Sequence, residues 1–180
     1  MNVKRPKVVK RRRYKKNNQS LQSYFFCSCL ENAMEVYVAT EGFTLPCGYI
    51  VKELCIMYPN HGYENYLLRP PVNQQLSEID YRTIRFTTKN LNNLAYHDGD
   101  IPYTCIPDIL KKIRYHKIFT YSEITLRCLQ DILPTTVITN IQALGFKMPS
   151  TLPGATCMKR HNPRYCALSK AIAVKNFMNS

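Results

Sequence analysis

A chain of 180 residues, 45% of them hydrophobic and with a net charge of +13, has room for one folded domain and a tail. That composition excludes a wholly disordered protein, and no run approaches the ~20 apolar residues of a membrane span. The charge is concentrated: nine Lys or Arg and no acid fall within residues 1–30, while the rest of the chain carries sixteen basic and twelve acidic side chains.

The nine are Lys4, Arg5, Lys7, Lys10, Arg11, Arg12, Arg13, Lys15 and Lys16. A segment so charged cannot bury apolar surface and repels itself. Residues 1–30 are therefore expected to be a disordered basic arm and linker, ahead of a domain over 31–180. The arm reads as a nuclear-import signal, implying a nuclear location and an import receptor as partner, or as an arm that binds DNA or RNA phosphates in a salt-dependent way. A solubilising tail on a cytoplasmic protein is the alternative. No apolar h-region follows it, so no secretory signal is expected. Eight cysteines without such a signal point to reduced thiols, most of them, like Cys55, small core residues.

In chain order, a β-branched and aromatic run predicts a strand over 31–40, and residues 44–48 read as a turn. A second strand over 49–57, a turn at 59–62 and a third strand over 63–69, stopped by Pro70 and Pro71, complete an antiparallel meander. Ser77 is placed to cap a helix over 77–90, and residues 92–100 are polar and turn-like. Pro107 suits the first turn of a helix over 107–114. A strand over 117–121, a helix from Ser122 or Glu123 to Leu133, a buried strand over 136–141 and a closing helix over 167–177 follow. Strands first, then strand–helix alternation, predict a mixed α/β fold with helices packed on the sheet.

Glu41 sits in Val36-Tyr37-Val38-Ala39-Thr40-Glu41-Gly42-Phe43, and it reads either as a functional carboxylate near the end of a first strand or as a turn acid beside Gly42. The stretches 36–43, 49–57, 67–71, 90–100, 107–114, 117–122, 137–141 and 161–171, taken in this order, resemble the proofreading-exonuclease branch of the RNase H-like superfamily. More closely, they resemble divergent members carried by insect mobile elements and viruses. The resemblance implies an RNase H-like mixed sheet, an antiparallel three-strand meander followed by parallel strands, and helices packed on it. Active members hold an Asp-x-Glu pair on the first strand, an Asp at the start of a middle helix, and a His four residues before an Asp near the end. Such enzymes place two divalent cations about 3.5–4 Å apart between these carboxylates.

Carried onto this chain, Glu41 matches the first-strand acid, but Ala39 stands where its Asp belongs. Glu123 and Asp131 are the acids nearest the middle motif. The last motif matches His161 with Cys166 in the acid's place, or Tyr165 with Lys170 in that place. Magnesium is a hard cation held by oxygen, and neither a thiol nor an ammonium replaces a carboxylate. The resemblance therefore implies a nucleic-acid-binding protein on a catalytically degenerate scaffold. The alternatives are a Mg- or Mn-dependent 3′–5′ exonuclease using Glu41, Glu123, Asp131 and His161, and a nuclear protein-interaction module.

Cys157, His161 and Cys166 have the spacing C-x3-H-x4-C, which suits a structural zinc with a fourth ligand from elsewhere, Cys128, Cys105 and His116 being candidates. Around them Lys159, Arg160, Arg164, Tyr165, Lys170 and Lys175 interleave bases with an aromatic, a pattern that clamps nucleic acid or marks a solvated helix face. Lys111, Lys112, Arg114 and Lys117 form a second basic cluster. His97-Asp98-Gly99-Asp100 lacks the further acids of a calcium loop and reads as a turn.

Overall fold

Strand β1 (Glu35–Leu45) is the spine of a six-stranded sheet in which every residue from Val36 to Phe43 is buried. Such continuous burial is the mark of a central strand covered on both faces. The computed structural model describes residues 33–60, 62–71, 74–152 and 162–180, and Ala33–Ser180 forms one compact unit. Residues 1–32, including every basic residue of the arm, lie outside the described residues.

β1 pairs antiparallel with β2 (Gly48–Tyr58), and β2 pairs antiparallel with β3 (Gly62–Arg69). Two-residue β4 (Ile101–Pro102) adds in parallel to β3, while β5 (Lys117–Thr120) and β6 (Ile138–Asn140) follow in parallel beyond β1. The resulting order, β4-β3-β2-β1-β5-β6, is a mixed sheet, with the antiparallel three-strand meander and the later parallel strands that the sequence predicts.

Helix α1 (Glu78–Thr87) starts at Ser77, whose hydroxyl accepts the Asp80 N–H at 3.2 Å while the Asp80 carboxylate accepts the Ser77 N–H at 2.8 Å. This reciprocal cap fixes the helix start. The α-helix expected to reach residue 90 ends at Thr87 and widens into a π-turn (Thr88–Asn92), closed by left-handed Asn93 at φ 55°. Helices α2 (Ile106–Lys111), α3 (Glu123–Ile132, capped by Ser122) and α4 (Ala167–Met178) lie close to their predicted places.

Three expectations need correction. β1 runs five residues past its predicted end, because Phe43 and Leu45 bury against Ile50, Ile84 and Tyr96 and keep the ladder going. The turn predicted over 44–48 shrinks to Pro46-Cys47, with Gly48 at φ +132°. β6 is not a buried strand: it has β5 as its neighbour on one side, its residues are half-buried, and Val137 just before it is 72% exposed.

Alternation along β1 sends Tyr37 and Ala39 to one face, against Cys55, Met57 and the α4 residues Ala167, Leu168 and Ala171. Val36 and Val38 point to the other face, against Leu54, Ile56 and side chains of α2 and α3. The β1–β2 register slips between Glu41 and Gly42: Glu41 stands opposite Glu53 and Gly42 opposite Val51, so Lys52 is the extra residue of a bulge. Gly42 is obligatory there, since a Cβ would lie 2.0 Å from the Ile50 carbonyl oxygen.

Candidate functional site

Glu41 is neither at a strand end nor in a turn; it sits inside β1 and is 9% exposed. Its carboxylate accepts a hydrogen bond from the Lys170 ammonium, which also lies 5.6 Å from the centroid of the Tyr121 ring. The side chains of the pair are 11% and 12% exposed. Burial pulls the Lys170 ammonium down, but Glu41 and Tyr121 pull it up by more, leaving it above the ordinary lysine range. Burial also raises the Tyr121 hydroxyl, against an opposing pull from Lys170.

The acid opposite is Glu53, fully buried on the same face. Its carboxylate accepts the Ala167 N–H at 2.9 Å and lies 3.6 Å from the Cys166 thiol. Ala167 is the first residue of α4, and Cys166 makes no side-chain cap, so Glu53 caps this helix from the neighbouring strand. A carboxylate at a helix N-terminus is favoured by the exposed N–H groups and the macrodipole. The sequence reading passed over Glu53 inside an apolar strand. The available signal was the adjacent charged pair Lys52-Glu53 in an otherwise hydrophobic run.

The other predicted acids do not join Glu41. Thr40, its neighbour on β1, points to the opposite face and exchanges a 2.7 Å hydroxyl hydrogen bond with Thr125 of α3. Glu123, in the first turn of α3, is exposed and pairs with Arg127 at 3.1 Å. Asp131 lines a cavity of about 420 Å³ on the α2–α3 side, together with Thr40, Tyr49, Leu110 and Cys128. His161 lies outside the described residues, as do Cys157, Lys159 and Arg160.

Of the residues read as zinc ligands, Cys166 is buried on the α4 face, while the candidates Cys128 and Cys105 pack beside the core on the opposite face. Lys170 and Lys175 are not a solvated clamp: the first is held by Glu41, and the second donates to the Pro59 carbonyl at 2.8 Å. Arg164 is exposed, in a short turn just before α4. In the second basic cluster Lys111 pairs with Asp108 at 3.0 Å and Lys112 with Glu64 at 3.3 Å.

No family model and no curated protein matches the chain. Among solved structures, the chain is similar to the nuclease domain of 3′hExo, a DEDDh family member, bound to rAMP, at a TM-score of 0.32 and 14% identity. The match covers 64% of this chain and 62% of that one, so this chain spans a little over three fifths of that domain's length.

Paired magnesium needs several converging carboxylates. Ala39, one turn of the pleat before Glu41, offers no oxygen and is fully buried beside Cys55. An ammonium occupies Glu41, and a helix N-terminus occupies Glu53. Among the described residues no three His, Cys, Asp or Glu side chains gather as metal ligands. The described residues around Glu41 therefore do not fit a two-metal centre. Nor is any helix among them long and apolar enough to cross a membrane.

Proposed function

We propose that this protein binds DNA or RNA without cutting it, on an RNase H-like scaffold whose catalytic carboxylate set has been dismantled. The observation that carries this reading is the buried Glu41–Lys170 pair. The resemblance puts a divalent cation beside the first-strand acid; here a lysine ammonium, tethered to α4, supplies the compensating positive charge. A fixed ammonium neutralises one carboxylate but cannot activate a water or bridge a phosphate as a metal does.

Affinity would come mainly from the nine basic residues of the arm, which release counterions from the phosphates they meet. The folded domain would add shape and a preference for strand form. The arm also serves as the candidate nuclear-import signal in this reading, and a mobile-element or viral origin rests on the resemblance alone.

Fluorescence anisotropy of the full chain with labelled oligonucleotides over a salt series tests this directly. The expected outcome is tight binding at low salt with a steep negative slope of log affinity against log salt. Absence of binding at low salt would overturn the proposal and favour a protein-interaction module.

A further inference from the structure

α1 presents to solvent a face its own packing leaves unused. Ile84 and Asp80 turn inward, and a rotation of about 100° per residue then sends Tyr81, Arg85, Glu78, Arg82, Phe86 and Ile79 outward in that angular order; Lys89 follows, exposed, in the π-turn. Ile79 is 62% exposed, Phe86 60% and Tyr81 53%, a concentration of large apolar side chains that a solvated helix does not need. Arg85 and Arg82, with Glu78 between them, lie between the aromatic on one flank and the aromatic on the other, and Lys89 extends the positive charge past the helix end. Glu78 is the one exposed acid of the helix, and it is paired with Arg82. Arg85 and Lys89 form no ion pair among the described residues.

From this arrangement we infer that the outer face of α1 is a docking surface for single-stranded nucleic acid. The cation row matches a phosphate backbone, and Tyr81 and Phe86 offer ring faces on which unpaired bases stack, a combination that tolerates any sequence. A duplex keeps its bases stacked on each other and would gain from the cations alone. This inference rests on the nucleic-acid reading above and assigns that reading its strand preference.

The test compares the full chain with two double variants, Tyr81→Ala with Phe86→Ala, and Arg85→Gln with Lys89→Gln. All four side chains face water, so each variant should melt with the parent. Anisotropy is measured with oligo(dT), oligo(rU) and a duplex of equal length. Loss of the aromatic pair should weaken single-strand binding about five-fold or more and leave the duplex unaffected. Loss of the two charges should weaken binding to all three and flatten the single-strand salt slope by about 1.4. Parental affinity in both variants, while the parent binds well, overturns the inference and leaves the proposed function standing. So does a sedimenting mass that falls on removing the aromatics, which would make the face a self-association surface. A parent that binds no oligonucleotide removes both.

Discussion

Glu41 and Glu53 face each other across the β1–β2 ladder, and one helix answers both: α4 gives its N-terminal amide to Glu53 and its Lys170 ammonium to Glu41. Like charges directly opposite on a sheet destabilise it unless compensated. The compensation here is built into the fold, because Ala167 and Lys170 lie three residues apart and present themselves to the sheet together.

Breaking that arrangement from one side should therefore be costly. Lys170→Met takes the ammonium away from the buried Glu41 carboxylate and should lower stability by about 3–5 kcal/mol. Glu41→Gln combined with Lys170→Met should recover a large part of that loss, since two neutral side chains carry no uncompensated charge. Urea denaturation of the two single variants and the double variant gives the coupling energy; additive effects would mean that the two groups do not interact.

Lys52 is a fully buried cation, and it serves the fold. The bulge turns its ammonium toward the carbonyls of Leu68 and Tyr96, both at 2.9 Å, and of Asp98, so it ties residues 96–98 to the end of β3. Lys52→Met leaves these acceptors without their donor and should cost roughly 2–5 kcal/mol in urea melts. A change below 0.5 kcal/mol would show that water replaces the ammonium.

The same residue makes a pH prediction. Burial, first of all, pulls the Lys52 ammonium down to about 8. Its folded value then lies below its unfolded one, so between pH 8 and about 10.4 the unfolded chain holds a proton that the folded chain has lost. Stability contributed by this group rises with pH through that window. The gap between the parent and Lys52→Met should widen from pH 8 to 10. A gap that stays flat would mean the three carbonyls hold the ammonium charged.

Gly42 has no alternative residue. Gly42→Ala drives a methyl into the Ile50 carbonyl and should cost about 3 kcal/mol or more, with the bulge relaxing or β2 shifting. Retention of the parental melting temperature would show that the bulge absorbs it.

Much of this fold was legible in advance, because central strands and capped helices write themselves locally. Val36 to Val38 and Leu54 to Ile56 are β-formers with both faces buried, and Ser77 and Ser122 stand where their hydroxyls cap. What failed depended on distant partners. The β-branched run gives way to Glu41 and Gly42, while Phe43 and Leu45, buried under α1, carry β1 on to residue 45. The absence of a carboxylate at Ala39 was plain, and Lys170 stood as one of two candidates for the last acid's position. That this lysine reaches back to Glu41, 129 residues earlier, is a tertiary fact without any local mark. Glu53 was missed for the same reason: only the arrival of the α4 N-terminus explains a fully buried acid in that strand.

The basic arm makes a separate prediction. Deleting residues 1–16 removes all nine of its cations and should flatten the salt slope by about 0.7 for each single-strand phosphate no longer neutralised. An unchanged slope would move the electrostatic contact to the folded domain.

The most direct measurement is incubation of the purified full chain with an end-labelled oligonucleotide and Mg²⁺ or Mn²⁺, followed on a denaturing gel. The Glu41–Lys170 pair predicts an intact oligonucleotide under conditions where it is fully bound. Stepwise release of nucleotides that disappears in Glu41→Gln would contradict it.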